Sequence, residues 1–454
     1  MNAAAAFVAH ALEARYEDLP PDAIAAVKTF LLDTLGVGIA GARAPLADKI
    51  RAAAGGWAGE GPAHVWGGGG VTTPANAAFV NAFQIHCQEY DCVHEPAVVH
   101  PLATILAALM AECDGRGGVT GKDLAIALAV SVDVAAGLGV AATTPLKFFR
   151  PATAGIFGAT LGIARLRGFD HAGARNALGY ALAFCAGTMQ AHAEGKPALP
   201  VQIANAARAA HMACDLAAAG LEGAQDSLEG PYGYFPLFED GYDLASVLES
   251  LGRVWRVTEV SHKPFPTGRA AQGGIVLMRK LREQGVLAKD VKAVTLTAPP
   301  LIQRLVGRPI APDMTANFAR LCFQYSGAVA LLRGQVGLED FSEAALREQD
   351  VHALGPKIKV VDSGHPDPAA FAPQTASATL TSGEVVEARI DALYGSPADP
   401  MTREMHLEKF RACVAFGFGA PRADLCEALI EAVDHLETLE DAARLSRLAA
   451  GGEA

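Results

Sequence analysis

The densest concentration of reactive side chains runs from His86 to Pro101: His86-Cys87-Gln88-Glu89-Tyr90-Asp91-Cys92-Val93-His94-Glu95, then Val98-Val99-His100-Pro101. Fifteen of these residues hold three histidines and three carboxylates, in a chain otherwise rich in alanine. Imidazole and carboxylate together supply general acid/base chemistry, and they are also donors for metal ions. The spacing speaks against a metal, because the block contains neither C-x-x-C nor H-x-x-x-H. A run of solvated loop charges is the plain alternative; clustering beside apolar helices favours a site. Pro101 suits the first position of a helix over Leu102 to Cys113, which puts His100 at the helix entrance. There the helix dipole disfavours imidazolium and leaves a neutral base, while free amides welcome a carboxylate. Arg150, directly before Pro151, marks a second anion-friendly entrance.

A second segment, Ser261-His262-Lys263-Pro264-Phe265-Pro266-Thr267-Gly268-Arg269, places three basic groups in eight residues on a backbone stiffened by two prolines. It lies where the texture of the chain changes, a good place to clamp carboxylates between two domains. Tyr325 adds a phenol on an apolar helix, where most tyrosines only pack. Gly67 to Gly70 and Gly121-Lys122-Asp123 lack the remainder of a phosphate loop. With no G-x-S-x-G elbow and no G-x-G-x-x-G fingerprint, neither a serine hydrolase nor a nicotinamide enzyme is expected.

The chain that must position these residues has 454 of them, 51% hydrophobic and 19% charged, with mean hydropathy +0.22. That composition predicts compact folding in two or three domains. Lys and Arg number 37 against 49 Asp and Glu, a net charge of −12, so nucleic acid is not an expected partner. Met1 to Tyr16 lacks the form of a signal peptide. Leu124 to Ala142 is apolar enough to suggest a membrane span, but Asp133 near its centre predicts a buried helix and no membrane. Eight scattered cysteines predict reduced thiols and a cytoplasmic protein.

From about residue 3 to 255, apolar runs punctuated by Gly and Pro predict an almost wholly α region. Helices are expected at Ala23 to Ile39, after Thr120-Gly-Lys-Asp123 as a capping box, and at Ala152 to Arg167, where Gly155, Ala159 and Gly162 share one face. Near Val254 the pattern turns to β-branched and alternating residues: strands are expected at Val254 to Val260, Val291 to Ala298, Ile358 to Val361 and Ala376 to Ile390, the last folded at Ser382-Gly383. Helices at Ala270 to Gln284, Phe318 to Arg333 and Ser342 to Gln349 complete a small α+β region. Helical pattern returns at Thr402 to Val414 and Arg422 to Leu448.

In order and spacing, several of these pieces resemble the MmgE/PrpD family, which includes 2-methylcitrate dehydratase, cis-aconitate decarboxylase and iminodisuccinate epimerase. They are Leu19-Pro-Pro-Asp22, Leu32-Asp-Thr-Leu-Gly36, the His86 to Pro101 block, Pro151-Ala-Thr-Ala-Gly155, Lys263-Pro-Phe-Pro266, Phe323-Gln-Tyr325 and Asp399-Pro-Met401. The resemblance implies a mainly α protein: a large all-α helical domain from residues 1–260 and 396–454, with a smaller α+β lid, 261–395, inserted between. It implies a homodimer working on a small polycarboxylate without metal or organic cofactor.

The resemblance also implies roles. His100 is the expected base, with Asp91 orienting it or exchanging a proton; Lys263 and Arg150 hold carboxylates, Tyr325 protonates a leaving hydroxyl, and His94, His262 and Arg269 are further substrate contacts. The expected reaction is proton abstraction α to a carboxylate followed by elimination, as in a dehydratase. Epimerisation and cis-aconitate-type decarboxylation are the alternatives within the family, and a carboxylate-binding or assembly subunit the one outside catalysis. Four positions depart from the family pattern: Arg150 stands for a histidine, Cys92 for an acid, and Leu199 and Gln202 for a lysine and a histidine.

Overall fold

The structure is a computed structural model describing residues 2–452 except Ala58 and Pro368. Its larger part is a pile of apolar helices, chiefly Ala3–Glu13, Pro21–Gly41, Pro74–His86, Pro101–Arg116, Gly121–Ala141, Gly155–Leu166, His171–Ala183 and Ala198–Ala218. Three of them begin with proline, whose missing amide costs nothing in a first turn. Thr120 caps Gly121–Ala141 by accepting from the Asp123 amide. Glycine lets these helices close up: a Cβ on Gly158 would lie 2.4 Å from the Ser131 carbonyl, and one on Gly162 2.2 Å from the Ser131 hydroxyl. The face expected from Gly155, Ala159 and Gly162 is therefore a close helix contact, although Ala154 breaks the run into Arg150–Thr153 and Gly155–Leu166.

Two helices, Pro21–Gly41 and Gly121–Ala141, are long and apolar enough to cross a membrane, yet both are mostly buried inside the protein. Asp133 in the second accepts from the Arg256 amide at 2.7 Å and lies 2.9 Å from His10 Nε2. An acid in an apolar helix is explained by those two partners.

One hydrophobic core joins residues between Ala3 and Val260 to the tail, through Phe410, Val414, Leu425, Leu429 and Leu448. A second runs from Phe265 to Leu393. The tail helix Arg403–Phe418 packs on Pro21–Gly41, with Phe410 against Gly36. The smaller unit is a four-stranded mixed sheet ordered Ile358–Asp362, Val291–Ala298, Gln374–Leu380, Val385–Ile390. The first pair is parallel, with Val294 opposite Ile358, and needs the long helical crossover between them; the others are antiparallel, with Val294 opposite Ala378 and Ala376 opposite Ala388. The hairpin turns at Ser382-Gly383, where Gly383 has φ 93°. Helices Arg269–Glu283 and Phe323–Arg333 bury apolar faces in this second core.

Four expected elements differ. Phe318 to Arg333 is divided at Leu321 and Cys322 into helices Ala316–Arg320 and Phe323–Arg333. Val254 to Val260 is a 3₁₀ turn over Arg256–Glu259 and a two-residue strand, because Arg256 and Val257 turn inward to Asp133 and the helical core. Ser342 to Gln349 is a set of short turns ahead of helix Gln349–Leu354. Arg422 to Leu448 is interrupted between Asp434 and Ala443, where the Leu436 and Leu439 carbonyls meet Gly121.

The chain crosses between the two cores twice, and the crossings are tied together. Strand Val93–His94 pairs with Val260–Ser261, which sets the acidic block beside the basic segment. The His262 amide donates to the Gly395 carbonyl at 2.8 Å. Gly395 has φ 86°, and a Cβ there would stand 2.7 Å from the His262 carbonyl. Only glycine fits this seam comfortably.

Candidate active site

Helix Pro74–His86 ends at His86, and the chain then turns sharply through Glu89, a non-glycine residue at φ 52°. Val98, at φ 51°, closes a second tight loop before His100. Left-handed backbone at a β-branched residue is strained, and such strain concentrates at functional sites. Both residues line a cavity of about 70 Å³ between the two cores, together with His100, His192 and the first turn of helix Arg269–Glu283. Most of the remaining wall is apolar, including Phe149, Met189, Leu199, Leu305, Val306 and Phe371.

The wall at His100 is a chain of titratable groups. Asp91, fully buried, has Oδ2 3.0 Å from His86 Nδ1 and 3.1 Å from His100 Nδ1, the second within ion-pair distance but not aligned as a hydrogen bond. The two rings stand edge to face at 4.8 Å. Lys263, itself wholly buried, donates to Glu89 Oε2 at 2.9 Å and lies 3.7 Å from Asp91 Oδ1. His100 caps helix Pro101–Arg116, is 14% exposed at its side chain, and keeps Nε2 free of protein partners among the described residues.

These contacts drive the two histidines apart. Burial alone would disfavour the charge on His86, but Asp91 and Glu89 outweigh it and raise its pKa. Burial and then Lys263 lower the pKa of His100, with Asp91 opposing. Burial would raise Asp91, yet His86, His100 and Lys263 hold it well below the carboxylate range; Glu89 is lowered likewise, to about 2, chiefly by Lys263 against its burial. Neighbouring groups of opposed proton affinity are the signature of an acid/base pair. One free imidazole nitrogen at the cavity, backed by a carboxylate that also holds a second imidazole of raised proton affinity, can accept or deliver a proton.

Three donors here, His86, Asp91 and His100, lie within 4.8 Å of one another. Asp91 Oδ2 bonds to His86 Nδ1 and lies within ion-pair distance of His100 Nδ1, so the carboxylate links the two rings.

The cavity brings together only part of the expected set: His100, with Asp91 and Lys263 behind it, and Arg269 at its rim. The structure places Arg150, His94, His262 and Tyr325 otherwise engaged. The Arg150 guanidinium grips Glu239 bidentately at 2.9 Å and the Ala97 carbonyl at 3.1 Å. Its task is to hold the loop before His100. His94 is buried, with Nε2 2.7 Å from Glu259 and Nδ1 accepting from the Ala97 amide. His262 turns away into a group with Phe30 and His406. Tyr325 donates its hydroxyl to the Asp340 carbonyl and does not line the cavity. Arg269 spends its guanidinium on Glu95 and on the His262 and Tyr394 carbonyls; its place at the cavity comes with the helix terminus.

His86, Glu89 and His192 went unassigned in the sequence. His86 and Glu89 carried a signal, three residues apart and five and two residues before Asp91, around a helix end. His192 carried none; it lies on the short helix Gln190–Glu194, and burial with Arg308 nearby lowers its pKa to about 4. Of the departures, Leu199 is simply cavity wall. Gln202 clamps Thr188 from both sides, accepting from its amide at 2.6 Å and donating to its carbonyl at 3.2 Å, which fixes the loop that carries Met189 and His192.

Lys263 faces two buried carboxylates, and a Lys263→Met variant takes the ammonium from Glu89 and leaves Asp91 with the two imidazoles alone. The expected loss is about 3–5 kcal/mol of stability, read from urea unfolding. Adding Glu89→Gln should restore part of it; a double variant no more stable than the single one would show that the pair is not what Lys263 secures.

Comparison with known proteins agrees with this architecture. Residues 5–247 match the model of the MmgE/PrpD N-terminal domain and residues 265–435 that of the MmgE/PrpD C-terminal domain. The cis-aconitate decarboxylase of Mus musculus is 28% identical over 93% of this chain and 88% of its own length. That of Homo sapiens is 29% identical over 93% and 89%. A cis-aconitate decarboxylase-like protein, oryM, of Aspergillus oryzae is 27% identical over 97% and 95%.

Proposed function

The chain belongs to the MmgE/PrpD family, enzymes acting on small carboxylate substrates, and from that membership we propose that it is a lyase removing CO2 from an unsaturated polycarboxylate of the cis-aconitate kind, using side chains alone. The observation that carries this reading is the His86–Asp91–His100 network at the wall of a mostly apolar cavity. Decarboxylation turns a charged carboxylate into neutral CO2, so an apolar wall favours the transition state over the charged ground state. Dehydration, the reading favoured by sequence, needs an acid for the leaving hydroxyl, and Tyr325 is engaged elsewhere. The names of the relatives lean the same way.

In the step, the C–C bond to the departing carboxylate breaks and its electron pair forms a new C=C. The electrons of the old double bond pass to the carbon α to a second carboxylate, and that carbon takes one proton. Arg269 and Ala270, in the first turn of their helix, line the cavity, and a helix entrance of this kind suits the carboxylate on which charge develops. His100 delivers the proton from Nε2. In the free protein Lys263 and burial keep the ring neutral; a bound polyanion offsets Lys263 and raises its proton affinity. A homodimer in the cytoplasm belongs to the same reading.

A second reading has one observation of its own: His192 and His100 line the same cavity, and two imidazoles are what epimerisation requires. Incubation in D2O separates the two. With cis-aconitate, decarboxylation releases CO2 and leaves one deuterium in the product; kcat falls as pH rises through the pKa of His100 in the complex. Deuterium returning to recovered iminodisuccinate without CO2 release, or a kcat that falls as pH drops, would replace decarboxylation by epimerisation.

A further inference from the structure

Behind the active site, where both chain crossings meet the large core, lies a second cluster that the chemistry above does not use. Asp33 comes from helix Pro21–Gly41, His406 and Lys409 from helix Arg403–Phe418, and His262 from the outward crossing. All four are buried. One donor atom from each of Asp33, His262 and His406 lies within 4.8 Å of the others, and the two rings are 4.9 Å apart. Lys409 Nζ stands 2.8 Å from Asp33 Oδ1, donates to the Tyr90 carbonyl at 3.0 Å and lies 4.1 Å above the Tyr90 ring.

Among the described residues, most of the polar atoms of this cluster that could ligate have no hydrogen-bond partner. Nε2 of His262 and both ring nitrogens of His406 are buried without a hydrogen bond, and Asp33 Oδ2 is likewise unpaired. Buried polar atoms nearly always find partners, and a group of them left open toward one point needs a reason. Two imidazoles and a carboxylate form a donor set for first-row divalent metals. We propose that Asp33, His262 and His406 bind one divalent transition-metal ion of the zinc class. Lys409 holds Asp33 through Oδ1 and leaves Oδ2 for the ion, as orienting partners of metal ligands do. The ion is a clasp rather than a catalyst. His262 directly precedes Lys263, so fixing it to two helices of the large core fixes the segment that carries the active-site ammonium.

The test uses the full chain, stripped with chelator and titrated with Co2+. The expected result is one equivalent bound, with visible ligand-field bands that Zn2+ abolishes by displacement, and a rise in the wild-type melting temperature on adding Zn2+. His406→Gln and Asp33→Asn should each weaken binding by roughly a hundredfold or more, since even outer-shell partners are worth 10–100-fold. Circular dichroism of the stripped variants establishes that they are folded, and His100→Asn should bind like wild type. Absence of a stoichiometric site in the wild type, binding that survives His406→Gln, or binding lost in His100→Asn would each overturn the proposal, the last by moving the ion to the active-site trio.

Discussion

Replacing His100 by Asn is expected to lower kcat by about 10²–10⁴-fold, the usual worth of a positioned acid or base, with little change in stability. His100 stands at the N-cap of helix Pro101–Arg116 without a capping hydrogen bond from its side chain, at a position where Asn is among the preferred residues. Loss of activity with an unchanged urea midpoint therefore assigns the effect to proton transfer. The companion variant Asp91→Asn should act through His100, since the carboxylate is sealed from the cavity and touches only His86, His100 and Lys263. It removes the charge that opposes Lys263 and so moves the limb of the kcat pH profile to lower pH. An unshifted limb, with activity merely reduced, would limit Asp91 to a packing role. Activity within threefold of wild type in His100→Asn would take the proton donor away from this ring and direct attention to His192 across the cavity.

Local chemistry was legible in the sequence where the partners are near neighbours. The turn from His86 through Glu89 to Asp91, and the Pro101 helix with His100 at its entrance, are set by residues within about fifteen positions of one another. Helix caps and the strand hairpin around Ser382-Gly383 are of the same kind. What sequence reading missed depends on partners far along the chain. Arg150 looked available until Glu239, 89 residues later, occupied both faces of its fork. His94 is answered by Glu259 across the strand pair, and His262 by residues from both ends of the large core. A basic residue read alone advertises a charge; only the fold shows whether that charge is already spent. The two-core arrangement followed from a family resemblance, because periodicity alone gave no reason for residues after 400 to rejoin helix Pro21–Gly41.

Lowering the pH from 7.5 to 5 is expected to destabilise the metal-free protein by about 6 kcal/mol. His192, half-buried at the cavity and lowered to about 4, and the buried His406 and His262, lowered to about 4 and about 3, are neutral in the fold. Unfolded, each takes up a proton near 6.5. Between the folded and unfolded values the unfolded chain binds more protons, so stability rises with pH and is lost as pH falls below about 6.5, by about 2 kcal/mol per histidine at pH 5. His100 and His211 are lowered and add in the same direction. His86 works the other way: its pKa is raised, so its contribution is full below about 6.5 and fades above its folded value. The depressed carboxylates Asp91, Glu89 and Asp33 add losses only nearer pH 4 and below. Set against a total of 5–15 kcal/mol, the histidine term alone can exhaust the stability of the fold. Urea midpoints at the two pH values measure it, and His192→Gln should recover about 2 kcal/mol at pH 5 with no matching gain at pH 7.5. Equal midpoints would mean that these rings are protonated or solvated in the folded protein, and the neutral state assigned to His100 would lose its support with them. The burial that keeps an imidazole neutral beside the cavity is the same burial that makes the protein acid-sensitive.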